Sequence, residues 1–140
     1  MSFKSLLAYQ KAFALAMEIF KLTKSFPVEE RFALTTQIVR SSRSVCATIS
    51  EAYRKREYIR HYKSKLTDAD SENSETQLWL DFALACKYIS GEEFKFLQDE
   101  SLQVGRLINY MINNPGKFGL KTANCQLITA YSKNYDSSRR

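Results

Sequence analysis

The sequence predicts an all-α protein, an antiparallel up-down-up-down four-helix bundle with a flexible C-terminal tail. Three observations carry this. The 140 residues include only four Gly and two Pro, whereas a sandwich or barrel needs a turn signal about every ten positions. Apolar residues recur at spacings of three and four over long stretches, the period of one helical face. The connections between those stretches are short, so successive helices become antiparallel neighbours. The length suits one core. Residues 1–116 are assigned to the bundle domain and 117–140 to the tail.

The first helix is expected over 6–25, with Ser5 as its N-cap. Tyr9, Phe13, Ala16, Phe20 and Thr23 form one face, and Leu15, Ile19 and Leu22 form a second apolar strip. A helix apolar on two sides has more to bury than one bundle core requires, which points to self-association. Ser25-Phe26-Pro27 ends it. The second helix is expected over 28–56, with Glu29 and Glu30 in the first turn, where the dipole favours acids. Its core stripe is Leu34, Ile38, Ser41, Val45, Ile49 and Ala52. The opposite stripe is Thr36, Arg40, Arg43, Ala47, Ser50 and Arg54.

The third helix is expected over 58–89, with Tyr62, Leu66, Ala69, Thr76, Trp79, Leu80, Ala83 and Cys86 inward. Its middle, 68–75, is acidic and polar. Asp68, Glu72 or Glu75 is expected to pair with at least one of Arg40 and Arg43. Ser90-Gly91-Glu92-Glu93 reads as a capping box. The fourth helix follows to about 113, with Phe94, Leu97, Leu102, Ile108 and Met111 inward, and Asn114-Pro115-Gly116 stops it. Phe118 and Leu120 are expected to dock on the bundle.

Charge supplies the functional signal. The 21 Lys and Arg outnumber the 15 Asp and Glu, and the pI is near 9.3. Such a balance favours acidic partners, nucleic acid first. The stretch EAYRKREYIRHYKSKL, 51–66, concentrates Arg54, Lys55, Arg56, Arg60, Lys63 and Lys65, with Tyr53, Tyr58, Tyr62 and the sole histidine, His61. Together with Arg40 and Arg43 these six cations are the candidate nucleic-acid-binding residues. Cations bind phosphates by releasing counterions, and tyrosines stack on unpaired bases. The competing reading is a solvated helix junction whose cations sit at a helix C-terminus.

Catalytic patterns are missing. A di-iron bundle needs Glu-x-x-His on two helices, and His61 has Tyr58 at the required offset. There is no P-loop or dinucleotide fingerprint. Cys46 and Cys86 fall on predicted core faces and Cys125 in the tail, without CxxC spacing. The expectation is a non-enzymatic protein with no metal and no cofactor. Reduced cysteines, the lack of a secretory signal, and no apolar run near the roughly 20 residues of a membrane span lead to an expected cytoplasmic location away from any membrane.

One motif goes further. Lys11-Ala12, Thr23, Phe26-Pro27, Glu30, Leu34, Gln37-Ile38, Arg40-Ser41, Ile49 and Glu51-Ala52 resemble the first half of the four-helix-bundle protein family, also called the ribosomal-RNA intervening-sequence protein family. SENSETQLWLDFALACKYI, 71–89, resembles its third helix. The resemblance spans about residues 3–120. The chain departs from it at Ala52-Tyr53, where many relatives carry Ala-Glu-Gly after Asn-Ile. The resemblance implies a homo-oligomer, a ring of five subunits, with no catalytic activity. It extends to the accessory variability protein of diversity-generating retroelements, a basic pentamer that partners a reverse transcriptase and nucleic acid. RNA or DNA, and a nucleic-acid-processing protein, are therefore the expected partners beside the chain itself. A protein-binding scaffold with no nucleic-acid role is the alternative.

Overall fold

The computed structural model describes residues 2–120, so the expectations for 121–140 lie outside the described residues. Four α-helices follow one another: α1, Leu7–Thr23; α2, Leu34–Arg54; α3, Ile59–Ala85; and α4, Gly91–Asn113. No described residue is in a strand. The principal packings are α1 on α2, α2 on α3, α3 on α4, and α4 back on α1, which closes an antiparallel bundle.

The helix ends show how local chemistry sets the boundaries. Ser5 does not cap α1. It belongs to a 3-10 turn, Phe3–Ser5, capped by Ser2, and α1 starts at Leu7 without a side-chain cap. α2 begins six residues later than expected, because Val28–Glu30 forms a 3-10 turn. Glu30 does not lie in the α2 first turn. Its carboxylate accepts the Leu34 N–H at 3.0 Å, satisfying a donor the helix leaves open. α3 stops at Ala85, where Lys87 adopts φ +61°. The Tyr88 N–H donates to Ala83 O and the Lys87 N–H to Leu84 O, each at 2.9 Å. This is a Schellman stop with lysine where glycine is usual. Cys86 therefore leaves the helical face and is exposed, contrary to its expected core position. The Ser90–Glu93 capping box forms as expected, with both reciprocal bonds present.

Burial bears out the inward stripe of α2 in full. On α3, Tyr62, Leu66, Ala69, Thr76, Leu80 and Ala83 are buried, while Trp79 is half-buried. On α1 the core draws on both strips, Ala16 and Thr23 from the first and Leu15 and Ile19 from the second. The core takes Ala8, Ala12, Leu15, Ala16, Ile19 and Thr23, and Phe13 is 51% exposed. Alanines let α1 approach its neighbours closely, so the aromatic strip stays at the rim. On α4, Ser101 and Val104 are buried and Leu102 is exposed. Leu120 is buried and Phe118 meets Tyr110 edge-on at 6.2 Å, so both dock on the bundle.

The polar middle of α3 makes a buried polar layer. Asn73 Nδ2 donates to Ser101 O at 2.8 Å, and Ser101 Oγ donates back to Asn73 Oδ1 at 2.9 Å. Gln77 Nε2 donates to Ser101 Oγ at 3.0 Å. On the other side, the Thr76 and Ser41 hydroxyl oxygens lie 2.9 Å apart. Each pair is satisfied only in one register of α2, α3 and α4, so the layer specifies alignment.

Candidate nucleic-acid interface

The eight candidate cations do not form one patch. Arg40 precedes Arg54 by fourteen residues on α2, about 21 Å at the α-helical rise. Arg40 is committed to the polar layer. Its Nη2 donates to Glu75 Oε1 at 2.6 Å, and Nη1 lies 3.5 Å from Glu72 Oε2. This is the expected ion pair between α2 and the acidic middle of α3. The Arg40 hydrogen bond holds the Glu75 carboxyl below the usual carboxylate range, against the opposing effect of desolvation. Trp79 Nε1 donates to the same Glu75 oxygen at 3.2 Å, which keeps the carboxylate in place. Arg43 stands over the Phe20 ring, 5.1 Å from its centroid.

The other six gather where α2 ends and α3 begins, in a four-residue connection closed by the Tyr58 N–H donating to Lys55 O at 2.9 Å. Two of the six are engaged. Arg56 lies over the Tyr53 ring at 4.1 Å and donates from Nη1 to Tyr53 O at 2.9 Å. The Arg56 side chain also runs close beside Gly119. Lys65 pairs with Glu51 at 3.1 Å. Arg54, Lys55, Arg60 and Lys63 have no acidic partner among the described residues. Arg54 and Lys55 sit at the C-terminal end of α2, and Arg60 and Lys63 in the first turns of α3. The two helix dipoles meet there with opposite signs, so the positive character of this end comes from the side chains.

The tyrosines divide as sharply. Tyr62 is fully buried and its hydroxyl donates to Met111 O at 3.3 Å. Tyr53 is buried beneath Arg56. Tyr58 alone of the three is open, 64% exposed, with His61 set edge-to-face at 6.1 Å. Beside this end lies an open hollow of about 400 Å³ lined by Ser2, Phe3, Tyr53, Arg54, Arg56 and Glu57.

Among the described residues, no three His, Cys, Asp or Glu side chains converge where they would hold a metal ion. No described helix is long and apolar enough to cross a membrane. Cys46 is buried, and burial pushes its thiol up to about 11. Sequence reading missed a polar groove of about 590 Å³ between α3 and α4, which includes Asp70, Asn73, Gln77, Arg106, Asn109 and Tyr110. Amides at helical spacing look like a solvated face until two helices bring them together.

Residues 4–110 match the family described as 23S rRNA-intervening sequence protein. The chain belongs to that family. The crystal structure of a protein of unknown function from the S23 ribosomal protein family of Bacteroides thetaiotaomicron is also similar. Its TM-score is 0.69 at 28% identity, and the match covers 76% of this chain and 95% of that one. No curated protein matches the chain. In this intervening-sequence protein, several residues that carry the family resemblance act in packing. Lys11 donates to Gln103 at 3.0 Å and so ties α1 to α4. Glu30 caps α2, Arg40 binds Glu75, and Ser41 meets Thr76.

Proposed function

We propose that this intervening-sequence protein is a non-enzymatic, cytoplasmic homo-oligomer that binds RNA or DNA through the α2–α3 end, as an accessory to a nucleic-acid-processing protein. The observation that carries the reading is the gathering of Arg54, Lys55, Arg60 and Lys63 without acidic partners among the described residues. Cations left without acidic partners suit a phosphate backbone. The family's name ties its members to insertions in ribosomal RNA, which agrees with such a partner.

Self-association rests on α1. Phe13 and Met17 are exposed beside Tyr9, Ala47 and Ser50, in an open groove of about 440 Å³. An apolar surface of this kind suits another subunit, and the family resemblance implies a ring of five. Repetition of the basic end around a ring multiplies weak phosphate contacts. Further exposed apolar residues, Val28, Phe32, Phe82 and Phe96, favour a second reading in which the protein is a scaffold for other proteins.

Fluorescence anisotropy with labelled oligonucleotides over a salt series tests the first reading. Four phosphate contacts give a log–log slope of about −2.8 on a single strand, so a fourfold rise in salt weakens binding about 50-fold. Lys55→Ala is expected to make the slope shallower by about 0.7. Arg56 is left intact because it holds the fold. Absence of binding at low salt, or a flat salt response, refutes the phosphate reading and leaves the scaffold. Light scattering of a Phe13→Asp variant tests assembly separately: a smaller particle is expected, and an unchanged mass refutes the role of this face.

A further inference from the structure

The α2–α3 end does more than present charge. We infer that it selects single-stranded polynucleotide, with Tyr58 as the platform on which one unpaired base stacks; this inference rests on the proposed nucleic-acid reading. Three tyrosines lie in the basic stretch, and the fold removes two of them. Tyr62 is fully buried under α4, and Tyr53 is buried with its ring taken by Arg56. Tyr58 stays open at the vertex of the connection. Its backbone is fixed by the hydrogen bond to Lys55 O. Its ring is steadied by His61 in an edge-to-face contact, which covers at most one of its two faces. Unpaired cations flank it on both sides in the chain, Arg54 and Lys55 before and Arg60 and Lys63 after.

An open aromatic ring among cations favours one kind of partner. A double helix hides the faces of its bases inside the stack and offers only phosphates and groove edges. A single strand offers phosphates to the cations and a base face to the ring at once. Every base has such a face, so the selection is for strandedness, not for sequence. Nothing in a ring stack depends on the sugar, so RNA and DNA single strands both satisfy it.

The test compares single strands with the duplex of the same sequence, as RNA and as DNA, on the full chain. Tyr58→Ala is expected to weaken single-strand binding about 5- to 150-fold. Duplex binding is expected to stay within about twofold, because only cations contact the duplex. Tyr58→Phe is expected to keep the single-strand affinity, and Tyr58→Leu to behave like Tyr58→Ala. The side chain is exposed, and retained duplex binding shows that each variant is folded. Single strand and duplex binding alike, with Tyr58→Ala unchanged and Lys55→Ala weakened, overturns the stacking platform and leaves the phosphate reading standing. Loss of both affinities together in Tyr58→Ala also overturns it, since the ring would then support the fold. Binding to neither form by the unaltered protein overturns the platform and the nucleic-acid reading together.

Discussion

Asn73→Ala tests whether the buried polar layer holds the bundle together. Asn73 is 2% exposed, and its amide makes both bonds to Ser101. Each is worth about 1 kcal/mol net. The space vacated by the amide lies against Gly105, where even a Cβ would stand 3.4 Å from Asn73 Nδ2. No side chain there can fill it, and a small cavity adds about 1 kcal/mol. The expected loss is about 2–4 kcal/mol, and Ser101 keeps its bond from Gln77. Urea unfolding followed by circular dichroism, at fixed protein concentration, measures it; an unchanged m-value shows that the unfolded state is not altered. Asn73→Leu with Ser101→Ala removes both polar side chains, while the Ser101 main-chain carbonyl that accepts from Asn73 stays within the α4 hydrogen-bond ladder. It is expected to recover most of the loss, because it leaves no orphaned group in the core and half-buried Gln77 can turn to water. A loss below about 0.5 kcal/mol in Asn73→Ala, or a double variant whose cost is the sum of its parts, refutes the reasoning.

Three further outcomes follow from the same structure. Glu75 has a lowered pKa in the fold, so its pair with Arg40 contributes above the ordinary glutamate value near 4.3 and is lost as pH falls through the lowered one. Arg40→Met is expected to cost about 0.5–1 kcal/mol at neutral pH, the scale of a half-exposed pair, and the gap to the unaltered protein should close in acid; a gap constant from pH 7 to pH 2 counts against the pair. Lys87→Gly removes a left-handed lysine at the end of α3 and is expected to raise stability by about 0.5–1 kcal/mol, read as a higher urea midpoint; a lower midpoint would mean that the lysine is unstrained. Cys46, buried and with its thiol raised to about 11, should resist iodoacetamide at pH 8 while exposed Cys86 is alkylated, as peptide mass spectrometry will show; equal labelling contradicts the packing around Cys46.

The residues that carry the family resemblance and the residues proposed to bind polynucleotide are largely different sets. Lys11, Glu30, Arg40 and Ser41 tie helices together or cap them. Arg54, Lys55, Tyr58, Arg60 and Lys63 are held by none of these contacts. A family match therefore transmits the bundle, while the chemistry of the α2–α3 end has to be read from this chain's own side chains.

Helix number, order, the capping box at Ser90, the inward face of α2 and most of that of α3 were legible in the sequence, because periodicity and caps are properties of neighbours in the chain; Cys86 and Trp79 were the exceptions. Boundaries were less so. The α3 stop depends on one left-handed lysine, and the α2 start on a Glu30 side chain reaching four residues ahead. Tertiary packing decided what local pattern leaves open. Both strips of α1 have the same period, and only the closeness of α2 and α4 admitted its alanines with Leu15 and Ile19 and left Phe13 outside. Eight cations look alike in sequence. Glu72 and Glu75 on a facing helix engaged Arg40, Phe20 took Arg43, Tyr53 took Arg56 and Glu51 took Lys65. Four cations were left without an acidic partner among the described residues, beside one exposed tyrosine. A side chain's pattern says which face it lies on; whether it is free depends on a partner that is distant in sequence and close in space.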